Sequence, residues 1–479
     1  MQVARVTASR TMTDDLWRKG AVELAGMIAR KQVSSREVVA AHLARIDAVN
    51  PYLNAIVRRW DADSLAAADA ADAAVAAGGP LGPLHGVPVT VKENIDLAGT
   101  PTTQSVAILA DAISPTDAPV VERIRAAGAI PIGRTNLPDL GLRVTTESSL
   151  HGVTHNPWHP TRTTGGSSGG EGAAIASGMS PLGLGNDIGG SLRNPANCCG
   201  IVSIKPTQGL VPWATEIPPK DPGMAAQLML SEGSMARHVV DVRAGLLAIA
   251  GAHDRDPRAL PVTLRDGAQG RPLRIAVAAN PPAGATHREI AAAISKAADA
   301  LSNAGAEVTE AVPASFTRAV ELWGMLMAVE LGAQRALLDL VLGEDCKKFV
   351  SYSDDVYPPI DTAALMLAFG ERNAVDREWH AFLTQYDVLL TPTWAQPPFE
   401  LGADIVSLEA AKGVLEMLRP VLPANLLGLP AAVVPVGMAD GTPVGAHLTG
   451  RRFADLTCLN AAQQLETLFG TITPIDPVR

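Results

Sequence analysis

Two glycine-rich serine segments decide the organisation of this chain: Thr163-Thr-Gly-Gly-Ser-Ser-Gly-Gly-Glu-Gly-Ala173 and Asn186-Asp-Ile-Gly-Gly-Ser-Leu-Arg-Asn-Pro195. Each contains a serine flanked by glycines, Ser167 and Ser191, which lie 24 positions apart (191 − 167). Glycines let the backbone turn sharply, expose a hydroxyl and direct free N–H groups at a reacting atom. The pattern therefore predicts a site at which serine chemistry takes place.

The composition predicts a large folded α/β protein. The chain has 479 residues, of which 47% are hydrophobic and 18% charged, so it can bury a sizeable core and is not a disordered chain. Alanine-rich helical segments alternate with short apolar strands along its length. This alternation is typical of a sheet with helices packed against it.

Charge and cysteine content narrow the partners and the compartment. A formal net charge of −10 argues against nucleic acid or an anionic membrane as a partner, because both require a basic surface. Met1 to Leu16 lacks the apolar stretch of a secretory signal. The sequence also contains no run of about 18 apolar residues, the length that a membrane-spanning helix needs. We therefore expect a cytoplasmic protein. Four cysteines lack metal-ligand spacing and predict free thiols: Cys198, Cys199, Cys346 and Cys458.

Hydrophobic periodicity places the main elements. A capping box at Ser34–Glu37 begins a helix that Asn50-Pro51 is expected to end. Val87, Val89 and Val91 alternate as in a strand, which Lys92 closes. Such a lysine is usually a surface residue with its stem along apolar neighbours. Further helices are predicted at 61–77, 117–127, 171–177, 287–304 and 455–468, and strands at 129–132, 182–185, 273–277, 386–391 and 431–435.

Two other interpretations of the glycine-rich serines are open. Ser167 and Ser168 both fit the Gly-x-Ser-x-Gly nucleophile elbow of α/β-hydrolases, with His380 or His447 as a late base. That elbow needs a strand directly before it, and the prolines and polar residues at 157–164 do not supply one. A phosphate cradle is the second interpretation, but no Gly-Lys-Ser or Gly-Lys-Thr follows and no dinucleotide fingerprint is present.

A third interpretation combines the two serines with Lys92. A serine hydroxyl is a poor nucleophile until a base takes its proton, and no histidine stands beside either serine. A lysine can serve if it is neutral, and burial at the end of an apolar strand favours the neutral amine. Lys92 lies 75 positions before Ser167 (167 − 92).

With these residues in place, the chain resembles the amidase signature family of serine hydrolases. Three residues depart from the family pattern and affect local packing only: Thr164, where proline is frequent, Asn186, where threonine or serine is frequent, and Ser203, where glycine is common. The matching segments are 86–94, 135–136, 165–170, 187–193, 195–196, 199–200 and 205–207, with further similarity at 386–392, 425–430 and 443–451.

The resemblance implies a role for each matched residue. Ser191 is expected to be the acylated nucleophile, Ser167 the bridging serine after a cis peptide bond from Gly166, and Lys92 the terminal base. Ser168 is the competitor for the bridging role. Asp187 and Arg193 are expected to brace the turn. Leu140, the Gly141 carbonyl and Trp213 are expected on the substrate side, and no metal or organic cofactor is required. The backbone N–H groups expected to form the oxyanion hole belong to Ile188, Gly189, Gly190 and Ser191.

The resemblance also implies the architecture. We expect an amidase signature α/β fold, with a large mixed twisted sheet flanked by helices on both faces. Residues 1–479 are expected to form one domain, with a signature core at about 84–212 and an N-terminal helical layer at about 13–78.

An amide is the expected substrate, with the carbonyl group attacked by Ser191. Apolar residues at 213–230, with Met325, Leu326, Met327, Trp394 and Phe399, favour an apolar acyl or aryl amide, with esters and carbamates (urethanes) as further candidates. Two alternatives are an ammonia-releasing amidotransferase component for tRNA charging and a catalytically silent binding relative. The oligomeric state is open, since homodimers are common in such families.

Overall fold

The computed structural model of the protein describes residues 12–264 and 270–478. The expectation for Met1 to Leu16 therefore lies mostly outside the described residues. The strands are β1 (Ile56–Arg59), β2 (Pro88–Lys92), β3 (Ile130–Thr135), β4 (Glu147–Ser148), β5 (Gly152–Val153), β6 (Leu182–Asp187), β7 (Val202–Lys205), β8 (Ser231–Ala236), β9 (Arg274–Val277), β10 (Glu307–Glu310), β11 (Val388–Pro392), β12 (Ala431–Ala439) and β13 (Thr442–Gly450).

Helices connect most of these strands. They are α1 (Ala21–Ala29), α2 (Ser35–Leu53), α3 (Asp61–Ala77), α4 (Pro119–Ala126), α5 (Gly169–Ala176), α6 (Arg193–Cys199), α7 (Met224–Met229), α8 (Val239–Ile249), α9 (Arg288–Asn303), α10 (Phe316–Ala333), α11 (Arg335–Val341), α12 (Glu344–Val356), α13 (Thr362–Gln385), α14 (Leu408–Met417), α15 (Leu422–Leu426) and α16 (Asp455–Phe469). Short 3₁₀ helices span Met12–Arg18, Ala107–Leu109, Asp139–Gly141 and Ala403–Ile405.

Within the described residues, eleven strands form one mixed sheet in the order β1-β3-β2-β6-β8-β7-β12-β13-β11-β9-β10. Strands β3, β2 and β6 run parallel to one another, as do β11, β9 and β10. The remaining neighbours pair antiparallel. Strands β4 and β5 pair separately. The expected mixed α/β sheet is confirmed.

Side chains alternate between two cores on opposite faces of this sheet. In β11, Val388 and Leu390 join one buried cluster and Leu389 joins another. Because successive strand residues point to opposite faces, these two clusters mark the two faces. The first cluster includes residues of α1, α4, α8, α9 and α16, and the second includes residues of α10, α13, α14 and α15. Helices therefore cover both faces, as expected.

Local signals fix most elements near their predicted places. The Ser34 side chain accepts a hydrogen bond from the Glu37 N–H, and the Glu37 side chain accepts one from the Ser34 N–H. This is the predicted capping box. Helix α3 spans the predicted residues. The predicted end of α2 at Asn50-Pro51 is wrong, because the helix continues through Pro51 to Leu53 and closes on the left-handed residue Asn54. Its N–H donates to the Asn50 carbonyl, which satisfies a C-terminal acceptor that the helix itself leaves open.

The sheet brings the predicted site residues to one edge. Strands β2 and β6 are parallel neighbours with Val91 opposite Leu184. Carboxyl ends of parallel neighbours lie at the same edge of a sheet, so the end of β2 at Lys92 meets the end of β6 at Asp187.

Candidate active site

Lys92 is fully buried and contacts the first serine segment. Its Nζ lies 2.8 Å from Ser167 Oγ and 2.8 Å from Asn186 Oδ1. The interpretation of Lys92 as a snorkelling surface residue is therefore wrong, because the valine strand carries the amine into the protein rather than along its surface. The structure brings Lys92 and Ser167 together as the resemblance implied.

Burial lowers the pKa of Lys92 to about 7, while Asp187, Glu171 and Glu232 oppose that shift. Burial also raises the pKa of Glu171 to about 8 and that of Glu232 well above its usual range. Burial thus disfavours the ionised form of both carboxyl groups, and Asp187 makes the largest of the three contributions that oppose the lowered pKa of Lys92. A substantial neutral fraction of Lys92 follows at pH 7, and only that form can accept a proton.

Ser167 and Ser168 face different partners. The Gly166–Ser167 peptide bond is cis. The Ser168 hydroxyl donates to the Asn186 carbonyl at 3.4 Å, and its N–H donates to the Ser191 carbonyl at 3.2 Å. The contact with Lys92 thus belongs to Ser167, and Ser168 instead joins the two serine segments through the backbone.

Ser191 lies in the turn between β6 and α6. Gly190, just before it, has φ of +98°, a left-handed conformation that glycine adopts without a steric penalty. A side chain there would also collide with Asn194, since a Cβ atom would overlap Asn194 Oδ1. The turn presents Ser191 at the wall of an apolar cavity.

Asp187 and Arg193 brace this turn. Arg193 donates from Nε and Nη2 to the two oxygens of Asp187 at 3.0 Å each, and both side chains are fully buried. Arg193 also donates to Asn425 Oδ1 at 2.6 Å and to His447 Nε2 at 2.9 Å. Burial alone would raise the pKa of Asp187, but Arg193, Lys205 and Asn425 together hold it far below the usual range. The pair ties the turn that carries Ser191 to α15 and β13.

The turn leaves fewer N–H groups available for the expected oxyanion hole. The Gly190 N–H donates to Asp187 Oδ1 at 2.8 Å, so this donor serves the brace instead of a ligand. In the described part of the chain no acceptor is found for the remaining expected N–H groups, those of Ile188, Gly189 and Ser191. The oxyanion hole remains a prediction, now with these three donors.

Asn194 connects the two serine segments and had not been singled out from the sequence. Its Nδ2 donates to the Gly166 carbonyl at 3.1 Å and to the Gly189 carbonyl at 3.2 Å. Its Oδ1 accepts from Trp394 Nε1 at 2.8 Å. The sequence signal that could have identified Asn194 is its position, three residues after Ser191 and in the first turn of α6.

The alternatives for the glycine-rich segments do not fit the structure. No strand element precedes Ser167 among described residues 154–166, so a nucleophile elbow lacks its strand. His447 is buried and accepts from Arg193, and burial lowers its pKa well below the usual range. The start of α5 is closed to phosphate, since the Gly169 N–H donates to Thr146 Oγ1 at 3.0 Å and Gly170 packs on Asn136.

A deep apolar cavity opens beside Ser191. It encloses about 740 Å³ of space between atoms, part of it open to solvent. Its lining includes Gly141, Gly166, Gly189 and Ser191. Helices α10, α12 and α14 supply the apolar walls, which include Trp323, Met327, Leu331, Phe349, Val350 and Leu415.

The residues expected on the substrate side lie in different places. Leu140 packs against a separate cluster that includes Leu338 and Leu342. The Trp213 N–H donates to Asp256 Oδ2 at 2.9 Å, and neither Leu140 nor Trp213 is among the residues that line this cavity. Gly141 does line it, and a Cβ atom there would lie 3.2 Å from Ser167 Oγ. Of the other residues expected in the wall, Met327 lines the cavity. Trp394 is not a lining residue, but its Nε1 donates to Oδ1 of Asn194, which does line the cavity.

Over residues 12–264 and 270–478, no group of three or more His, Cys, Asp or Glu side chains could hold a metal ion. In those same ranges, every helix is too short or too polar to cross a bilayer.

Known proteins give the site a context. A family model described as Amidase matches residues 37–459. The chain is similar to an indoleacetamide hydrolase of Bradyrhizobium diazoefficiens, with 39% identity over 459 residues that cover 95% of this chain and 88% of the relative. It is also similar to one component of the glutamyl-tRNA(Gln) amidotransferase of Salinispora arenicola, with 33% identity over 501 residues covering 96% and 99%. Among solved structures, a bacterial aryl acylamidase of the amidase signature enzymes matches with a TM-score of 0.81 and 27% identity, covering 95% of this chain and 96% of that one.

Proposed function

The chain belongs to the amidase signature family and is an amide hydrolase, and we propose that it cleaves amides with apolar, aryl-bearing acyl groups through an acyl-enzyme on Ser191. The observation that carries the proposal is the 2.8 Å contact between Lys92 Nζ and Ser167 Oγ, in a site whose second serine, Ser191, lines an apolar cavity.

The proposed reaction begins with a proton relay. Neutral Lys92 takes the hydroxyl proton of Ser167, and Ser167 takes that of Ser191 as Ser191 Oγ attacks the carbonyl carbon. The relay then runs backward and delivers a proton to the leaving amine as the C–N bond breaks. Water cleaves the acyl-enzyme by the same relay, releasing the acid.

Backbone donors stabilise the charge that develops on the carbonyl oxygen. The N–H groups of Ile188, Gly189 and Ser191 are the proposed donors, in a turn held rigid by the Asp187–Arg193 pair. Loss of one such donor typically costs about 3–4 kcal/mol of transition-state stabilisation. The proposed chemistry thus uses protein groups alone.

The cavity supports an aromatic substrate. Trp323, Phe349 and Tyr357 bring three aromatic rings to its lining, and its charged members are already paired. Arg143 is held by both oxygens of Asp404 at 2.9 Å and by Glu147, and Asp354 contacts Arg335. The relatives that act on indoleacetamide and on aryl acylamides favour the same class of substrate.

A substrate panel tests this proposal. The purified enzyme is assayed with arylacetamides, acyl anilides and their ester and aryl carbamate counterparts, at graded chain lengths, alongside free glutamine. We expect the highest kcat/KM for the arylacetamide or anilide and none measurable for glutamine. A preference for carbamates would place the protein among urethane hydrolases, and activity restricted to small polar amides would contradict the proposal.

The relative from a tRNA amidotransferase makes that function the second candidate. A glutamine site needs unpaired charge for the amino acid's ammonium and carboxylate, whereas Arg143 and Asp354 are engaged within the protein. Hydrolysis of an acyl anilide by the isolated chain would favour the amidase. Activity that requires partner proteins and glutamine would favour the amidotransferase.

A further inference from the structure

We infer that Asn186 is a positioning residue of the proposed relay, whose side-chain oxygen turns Lys92 so that the free electron pair of its neutral amine faces Ser167. The inference rests on the proposed function and assigns a role to a residue outside the expected catalytic set. It follows from the two contacts of the lysine and the chemistry of a carboxamide.

The amine of Lys92 has two close polar partners, both at 2.8 Å: Ser167 Oγ and Asn186 Oδ1. Asn186 is itself buried, near the end of β6, and the lysine stands at the end of the parallel neighbour β2. The sheet therefore holds the carboxamide and the amine at a set separation.

A second carboxamide, that of Asn94, pairs with Asn186. Asn186 Nδ2 donates to Asn94 Oδ1 at 2.9 Å, and Asn94 Nδ2 donates more weakly to Asn186 Oδ1 at 3.3 Å. Asn94 lies in the turn after β2, which closes through the Ile95 N–H and the Lys92 carbonyl at 3.0 Å. With its NH₂ group bonded to Asn94, Asn186 presents its oxygen to Lys92.

The acceptor at position 186 decides which way the electron pair of neutral Lys92 points. A neutral amine has two N–H donors and one electron pair. Because a carboxamide oxygen only accepts, Lys92 gives it one N–H and keeps the electron pair for the Ser167 proton. A hydroxyl at position 186 could instead donate to the electron pair and compete with Ser167.

The charged neighbours of Lys92 bear on how the role can be measured. Asp187, Glu171 and Glu232 all act to raise the pKa of Lys92. A carboxylate placed at position 186 would add an anion in direct contact with the amine, and would hold the lysine in its charged, inactive form to higher pH.

The test is the pH dependence of kcat and kcat/KM for Asn186→Asp, Asn186→Leu, Asn186→Thr and Asn94→Ala, with the exposed Asn303→Asp as control. Relative to wild type, Asn186→Asp should move the acidic limb of kcat/KM upward by at least one pH unit. Asn186→Leu should lower kcat about 10- to 100-fold with little change in KM, because the amine loses its orientation. Asn186→Thr and Asn94→Ala should fall between wild type and Asn186→Leu, and the control should match wild type.

An unshifted acidic limb in Asn186→Asp, or a kcat within threefold of wild type in Asn186→Leu, would overturn the inference. If either variant fails to fold, Asn186→Thr and Asn94→Ala decide, and wild-type kcat in both would likewise overturn it. Ser191→Ala separates the two levels: full activity in that variant refutes the proposed function, whereas loss of activity there with normal position-186 variants refutes only the role of Asn186.

Discussion

At the scale of a single residue, the proposed chemistry depends on where the protein places one amine. Lys92 ends a strand of valines and is fully buried, and this desolvation lowers its pKa from 10.5 to about 7. An exposed lysine would be almost entirely charged at pH 7 and could not accept the Ser167 proton.

The first prediction is a pH profile with a lysine signature. The proposed relay requires neutral Lys92, so kcat/KM should be level above its pKa and fall about tenfold per pH unit below pH 7. Lys92→Ala should lose several orders of magnitude. Lys92→Arg should be equally inactive at every pH, since a guanidinium stays charged. Stopped assays from pH 5 to 10 measure the profile, and near-normal hydrolysis by Lys92→Ala would contradict the relay.

At the scale of an element, helix α10 shapes the cavity through one glycine. A Cβ atom at Gly324 would overlap ring carbons of Tyr357, so the ring packs directly on the helix backbone. Gly332, farther along the same helix, has open space around it. The two glycines therefore form a matched pair, one at the cavity and one away from it.

The second prediction concerns substrate size. Gly324→Ala should push Tyr357 into the cavity and lower kcat/KM for a bulky aryl amide by about tenfold or more, while sparing a small aliphatic amide. Gly332→Ala should leave both substrates unchanged. Equal losses on large and small amides would mean that this wall does not contact the substrate.

At the scale of the whole molecule, one buried ion pair links distant parts of the sheet. Asp187 ends β6, Arg193 begins α6, and the arginine reaches Asn425 in α15 and His447 in β13. These hydrogen bonds connect the turn that contains Ser191 to the C-terminal third of the chain.

The third prediction is a stability loss when this pair is broken. Arg193→Met leaves the Asp187 carboxylate buried without its counter-charge, which should lower the free energy of unfolding by about 3–5 kcal/mol. The exposed Arg288→Met is the control. Denaturant unfolding of both variants measures the difference, and a loss below about 1 kcal/mol would show that the pair is not a brace.

How far the sequence predicts this molecule depends on whether a signal is local. Helix α3 and strand β6 carry their own periodicity and stop signals, and both were placed from sequence. Strand β8 reads Ser-Glu-Gly-Ser-Met-Ala, and all six residues are buried inside the sheet. Because neither of its faces is exposed to solvent, the segment shows no alternation of polar and apolar residues that would predict a strand. Its neighbours β6 and β7 decide its conformation.

The site shows the same division. Lys92, Ser167 and Ser191 could be proposed as site residues because their motifs are local and specific. The cavity walls come from α10, α12 and α14, more than 120 positions after the nucleophile, and no local pattern distinguishes their apolar residues from core residues. Trp213 and Leu140, which the sequence analysis expected on the substrate side, are not among the residues that line this cavity. The engagement of the Gly190 N–H by Asp187 is likewise visible only in three dimensions.

The central claim, a Ser191 acyl-enzyme formed through Lys92, is tested most directly by trapping it. A fluorophosphonate is reacted with the wild type, Ser191→Ala and Lys92→Ala, and the modified peptide is identified by mass spectrometry. We expect one label, on Ser191, in the wild type, none in Ser191→Ala, and labelling slowed by orders of magnitude in Lys92→Ala. A label on Ser167 or Ser168, or an active wild type that takes no label, would contradict the account.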